Sequence, residues 1–283
     1  MELKNSFEDA GRARVNPEGR VREFFDHQAA TFERRAGLPE EFAAEIARAV
    51  VEIGEAHAGD LVVELGPGTG QIGRRFSAAV RYVGLDLSIG MLKEFRARLD
   101  AEAAGVALIH ADAQSAWPLA EGSARVVFSS RAVHLLDEEH VAREMFRVSQ
   151  PEGATLIIGR VRREPQSVRS RMAREMNRLM RLRGFEGRGG EGRSRKLLEA
   201  CSSRGAKILE AVEVASWTVS ASPQASLDSW RSLSSLGGID VPAHTREEIL
   251  AELESWAAKE FGALDRESES LETYTLCPIR CAN

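Results

Sequence analysis

The 283-residue sequence predicts an α/β fold: a doubly wound, mostly parallel seven-stranded sheet with one antiparallel strand and a helical cap. Three observations carry this expectation. Short, nearly continuous apolar runs recur at 61–65, 82–85, 106–109, 124–128 and 154–158, most of them closed by Gly, Asp or Ser. Helix-patterned stretches lie between most of them, at 71–79, 88–103 and 137–149. Strands apolar on both faces and alternating with helices form parallel sheets with crossover helices. After Gly159 the alternation stops, and helical patterns dominate until a strand pattern closes the chain.

Taken in order, residues 1–36 read as a charged arm followed by an interrupted helix pattern. Residues 37–160 read as the ligand-binding core, opened by a helix at 38–56 whose Phe42, Ile46, Ala49, Val50 and Ile53 recur at helical spacing. Residues 161–283 read as helical cap insertions plus the last two strands. Within them, Val168, Met172, Met176, Leu179 and Met180 mark one face of a helix at 165–183. A Gly-rich stretch at 184–192 precedes further helices at 193–204, 223–236 and 245–261, and 207–219 and 274–277 read as strands.

Composition closes several function classes. Hydrophobic residues make up 43% of the chain, enough for a core, so general disorder is excluded. No apolar run approaches the roughly 18 residues a membrane span needs. The N-terminus lacks the apolar centre of a secretory signal. Cys201, Cys277 and Cys281 read as free thiols, as expected of a cytoplasmic protein. Cys277 and Cys281 lack the partners of a zinc site, so no metal is expected.

The sharpest motif is Glu64-Leu65-Gly66-Pro67-Gly68-Thr69-Gly70, between a strand and a helix pattern. Glycines there let the backbone approach a ligand without Cβ interference. Gly68, Gly70 and Gly73 also spell the dinucleotide fingerprint, which alone is a weak signal. Glu64 argues against a nicotinamide cofactor, because a carboxylate there repels a pyrophosphate and suits an ammonium or sulfonium. Asp86 closes the second strand, placed for both ribose hydroxyls, and Asp112 follows the third, placed for the adenine edge. The alternative for each acid is a helix cap or a turn.

ELGPGTG, VGLDLSIGML, HADAQSAWPLAEGSARVVFSSRAVHLLD and REMFRVSQPEG, in this order, resemble the class I S-adenosylmethionine-dependent methyltransferases. The likeness is to the subgroup of quinone, malonyl-carrier-protein and natural-product enzymes, whose fold is Rossmann-like. It covers roughly 60–160; FFDHQAATFERRAGLP is similar to that subgroup's covering segment, and Gln150-Pro151-Glu152-Gly153 replaces the usual Pro-Gly-Gly turn. The resemblance implies S-adenosyl-L-methionine as cofactor and S-adenosyl-L-homocysteine as product. It implies that Glu64 and the backbone of Gly66, Pro67, Gly68, Thr69 and Gly70 hold the methionine part. Asp86 would bind the ribose, Leu87 and Met91 pack on the adenine, and Asp112 and Ala113 read its amino group. Ser129 and Ser130 would line the floor beside the methionine.

The implied reaction is in-line displacement of a methyl group by O, N or C of a small-molecule acceptor, in which the enzyme chiefly supplies alignment. A base is needed only if the nucleophile must lose a proton. His134 follows the fourth strand at the sheet edge where α/β ligands bind, and is the first candidate base; capping the next helix is its alternative. His27 is the second, with solvated surface as its alternative; His110 is read as packing near the adenine. Arg35 and Arg131 are candidates to meet an acidic acceptor, or else surface ion pairs, and Met172 and Met176 are candidate pocket wall, or else core. The motif of exocyclic-amine nucleic-acid methyltransferases is missing after the fourth strand, as is a cysteine for covalent attack on cytosine.

The net charge of −5 conceals a split. Residues 160–196 hold thirteen basic and four acidic residues, a local +9 against −14 elsewhere. That segment reads either as a solvated helix face or as an attractor of an acidic substrate, a carrier protein or RNA. Mild overall acidity disfavours nucleic acid. The competing functional readings are an RNA or protein methyltransferase, a cofactor-binding module without turnover and, last, a nicotinamide oxidoreductase.

Overall fold

The computed structural model describes residues 38–76, 80–100, 105–130, 132–151, 153–185, 190–233 and 235–281. The arm expected at 1–36 lies outside them. A single sheet runs through the described chain, built from β1 (Leu61–Leu65), β2 (Arg81–Asp86), β3 (Val106–His110), β4 (Val126–Ser130), β5 (Thr155–Arg163), β6 (Lys207–Ile208), β7 (Val212–Ala221) and β8 (Ser268–Arg280). Its order is β3-β2-β1-β4-β5-β8-β6, with β7 also pairing β8. Strands β1 to β5 are parallel, and β8 runs antiparallel to β5, β6 and β7.

Eight strands replace the seven expected because the strand read at 207–219 breaks in two. Both pieces pair with the long β8, Lys207 opposite Arg280 and Val212 opposite Leu276. The two closing strands are also longer than their apolar segments suggest. β5 continues through Arg160 to Arg163, and β8 begins at Ser268, with Arg163 opposite Glu272. Ser130, the last residue of β4, lies opposite Gly159. The pairing of β5, β8 and β7 therefore runs on past the carboxyl edge of the parallel strands as a three-stranded extension.

The helices are α1 (Ala43–Ile53), α2 (Ile89–Ala97), α3 (Glu138–Val148), α4 (Val168–Leu182), α5 (Gly190–Ser202), α6 (Pro223–Arg231) and α7 (Ala243–Phe261). Every residue of β1 is buried, as expected of a strand covered on both faces. One face packs Ile46 and Val50 of α1 with Phe76, Phe95 and Phe128; the other packs Val141 and Met145 of α3 with Leu156 and Ile279.

Two expectations change here. Between the glycine loop and β2 the described residues form no α-helix. Only a three-residue 3-10 turn, Gly73–Arg75, forms, and Phe76 then turns extended. Glycines are poor helix formers, and Arg74 and Arg75 are drawn aside to Glu40 at 2.7 and 2.6 Å. Second, α5 does not join the cap. Its Leu197, Ala200 and Cys201 share the core of α3, whereas the cap is α4, α6 and α7 around Met172, Met176, Leu227, Ile249 and Leu253.

The basic segment is largely neutralised by α7 and by its own neighbours. Arg183 pairs with Glu252 at 2.8 Å, Arg171 pairs with Glu260 and lies over the Phe261 ring, and Arg178 pairs with Glu175 at 2.6 Å. Much of the +9 thus fastens α4 within the cap.

Candidate functional site

The glycine loop leaves β1 under tight backbone control. Gly66 N–H donates to Leu85 O at 2.8 Å, and Gly70 N–H donates to Pro67 O at 3.0 Å. Gly66, Gly68 and Gly70 have φ of +67°, +58° and +78°, the left-handed region that L side chains rarely adopt. Space is also missing. A Cβ on Gly66 would lie 2.4 Å from Ala132 Cβ, and one on Gly70 would lie 2.2 Å from the Phe95 ring. The segment after β4 therefore packs directly on the loop.

Asp86 fastens the loop to the end of β2. Its Oδ2 accepts from Gly68 N–H at 2.9 Å and its Oδ1 from Ser88 N–H at 2.8 Å. Ser88 in turn caps α2, accepting from Met91 N–H at 3.1 Å. Met91 is buried and Leu87 half-buried beside it. Thr69 and Pro67 are buried within the loop.

Glu64 lies beneath the loop, fully enclosed, with Oε2 accepting from the Tyr82 hydroxyl at 2.6 Å. Burial raises its carboxyl to about 7; the Tyr82 hydrogen bond opposes this and the nearby Asp86 charge adds to it. The Tyr82 hydroxyl is pushed up by burial and by Glu64.

After β3, Asp112 forms a turn, its Oδ1 accepting from Gln114 N–H at 2.9 Å, and Ala113 O accepts from Trp117 Nε1 at 3.0 Å. His110 Nε2 lies 3.0 Å from Leu87 O, joining the ends of β2 and β3. At the end of β4, Ser129 is wholly buried and donates to Leu65 O at 2.9 Å, so its hydroxyl ties β4 to β1. Ser130 accepts from the Tyr274 hydroxyl at 2.7 Å across β5.

The loop, Asp86, Asp112 and Ser130 thus all stand at carboxyl ends of neighbouring parallel strands, where α/β sheets bind ligands. His134 lies in the 3-10 turn Val133–Leu135 that follows β4. His27, Arg35 and Arg131 lie outside the described residues. Met172 and Met176 are buried in the cap core. Sequence reasoning passed over Tyr82 and Tyr274, which read there only as strand residues, and Glu272, which lay outside the strand read at 274–277. Among the described residues no cluster of His, Cys, Asp or Glu is arranged to hold a metal ion, and no helix is long and apolar enough to cross a membrane.

Residues 62–153 match the family model described as a methyltransferase domain. No curated protein sequence matches the chain significantly. Three solved structures share its fold. A proposed methyltransferase of Bacillus halodurans C-125 is 16% identical, with 84% of this chain and 99% of that one covered and a TM-score of 0.55. The [4+2]-cyclase SpnF is 16% identical, with 94% and 97% covered and a TM-score of 0.55. The YcgJ protein of Bacillus subtilis is 17% identical, with 84% and 98% covered and a TM-score of 0.53. At such identities the likeness carries the fold, and the family model speaks for residues 62–153. The methyltransferase-domain match, residues 62–153, takes in the glycine loop, Asp86 and Asp112 within a Rossmann-like sheet.

Proposed function

We propose that the chain transfers a methyl group to O, N or C of a small-molecule acceptor bound at the carboxyl edge of β4 and β5. The observation that carries this reading is the loop itself: three left-handed glycines, of which Gly66 and Gly70 have no room for a Cβ and Gly68 is pinned to Asp86. Such a backbone closes around a ligand and tolerates no side chain there.

These residues fit S-adenosylmethionine. Asp86 accepts the ribose hydroxyls, since a carboxylate accepts up to about four hydrogen bonds and can hold the loop as well. Leu87 and Met91 pack on the adenine, and Asp112 with Ala113 reads its amino group. Glu64 and the 66–70 backbone favour the positively charged methionine end. Ser129 fixes the floor through its bond to Leu65, and Ser130 presents the polar edge. Bound there, the cofactor supplies a methyl group already activated on sulfur.

The protein's own part is alignment and exclusion of water. Where the acceptor's nucleophile must lose a proton, His134 takes it; its backbone turn lies on the segment that packs against Gly66. His27 is the second candidate, and Arg35 and Arg131 meet an acidic acceptor or a carrier protein's acidic surface. A small acceptor is favoured over RNA because α7 and neighbouring acids pair the arginines a polyanion would need.

The test is transfer of a labelled methyl group from S-adenosylmethionine across a panel of hydroxy, amino and carbon acids. The expected result is a labelled small product, with His134→Ala slowing turnover while cofactor affinity holds. Label appearing only in RNA or protein would contradict the reading.

A further inference from the structure

The extension of β5, β8 and β7 beyond the carboxyl edge carries a cluster outside the cofactor site. Along β8, Tyr274 and Glu272 are two residues apart and so share a face. Tyr274 bonds Ser130 at the cofactor edge. Glu272, only 1% exposed, uses a single oxygen, Oε1, to accept from Arg163 Nε at 2.9 Å and Arg169 Nη1 at 2.7 Å. Its other oxygen, Oε2, is buried without a hydrogen-bond partner. Trp217 pairs with Glu272 in register and stacks on Phe42 with ring centroids 5.6 Å apart, an apolar wall beside the cluster.

This arrangement is incomplete in two ways. Two guanidiniums against one carboxylate leave one positive charge in excess, and each arginine has spent only one N–H on Glu272. Both remain accessible, with Arg163 40% and Arg169 29% exposed at the side chain. Burial and the Arg163 charge both work against the protonated form of Arg169, which an added anion would relieve. Oε2 meanwhile lacks a donor. Guanidinium forks bind carboxylates and phosphates in two-point geometry.

We propose that Arg163 and Arg169, held side by side by Glu272, form the acceptor's anion subsite, and that the acceptor carries a carboxylate or phosphate with a hydroxyl or N–H donor next to it. This rests on the methyl-transfer reading. Gly159 stands level with Ser130, and Arg163 is four residues further along β5. At about 3.3 Å per residue, the anionic end lies on the order of 10 Å from the edge where the methyl is delivered. The acceptor is thus an elongated acid methylated away from its charged end, with an apolar stretch that suits Trp217 and Phe42.

The experiment loads the full chain with S-adenosyl-L-homocysteine and titrates 2-hydroxydecanoate, decyl phosphate and decylamine by calorimetry. We expect at least one of the two anions to bind and decylamine not to bind. Arg163→Gln and Arg169→Gln should each weaken anion binding tenfold or more, Arg163→Lys much less, with homocysteine-product affinity unchanged in all. Preference for 2-hydroxydecanoate assigns a carboxylate subsite, and preference for decyl phosphate a phosphate one. Equal binding of the amine and the anions, wild-type anion affinity in Arg163→Gln, or no anion binding up to about 5 mM would overturn the subsite. Failure of the wild-type chain to take up the homocysteine product would instead overturn the cofactor reading.

Discussion

Tyr82 donates its hydroxyl to Glu64 Oε2 at 2.6 Å, in a pocket that encloses both side chains beneath the glycine loop. The contact has a pH signature. Burial raises the Glu64 carboxyl from 4.5 to about 7, so the fold favours its protonated form. That contribution is fully present below the unfolded value of 4.5 and is lost as pH rises through about 7. The cofactor-free protein should lose up to about 3 kcal/mol between these limits. Thermal melts across the range will show the decline, and Glu64→Gln should flatten it. An unchanged slope in the variant would remove Glu64 as its source.

Gly70→Ala should damage stability and cofactor binding together. The substitution forces an L residue to φ +78° and drives a methyl into the Phe95 ring. Left-handed strain of about 1–2 kcal/mol adds to about 1–3 kcal/mol of overpacking. A melting temperature close to wild type would show that the loop is not held as described.

Met172→Ala separates a packing residue from a pocket residue. Met172 is wholly buried among the helices of the cap, so its truncation should cost about 2–5 kcal/mol. Cofactor affinity, measured well below the melting range, should stay at wild type. A selective rise in acceptor KM without loss of stability would instead place Met172 in the pocket wall.

Pairing across the cap makes a further contrast. Glu252→Gln removes one exposed partner of Arg183 and should cost no more than about 1 kcal/mol. Glu272→Leu leaves two guanidiniums facing each other without their carboxylate and should cost about 3–5 kcal/mol. Equal melting shifts for the two variants would deny Glu272 its organising role.

What was legible in the sequence was local. The first five strands, the loop and the acids at strand ends are each encoded within a few residues, by apolar runs and the punctuation that closes them. The segment after the loop misled because its helical pattern competes with Gly70, Gly73 and the pull of Glu40 on Arg74 and Arg75. The polar row on β8 was illegible for another reason. Ser130 meets Tyr274 over 144 residues and Arg163 meets Glu272 over 109, and no local pattern reports a pairing at that separation. The arginines of 160–196 were countable, but their partners on α7 lie some 70 residues on, as with Arg183 and Glu252.

The central claim is that Asp86 and the glycine loop form the S-adenosylmethionine site. It is tested most directly by calorimetry with S-adenosyl-L-homocysteine on wild type and Asp86→Ala. The account predicts one site per chain in the wild type and an affinity lower by about 30-fold or more in the variant, the loss of hydrogen bonds to a charged group. Equal affinity in the two proteins, or no binding to either, would contradict it.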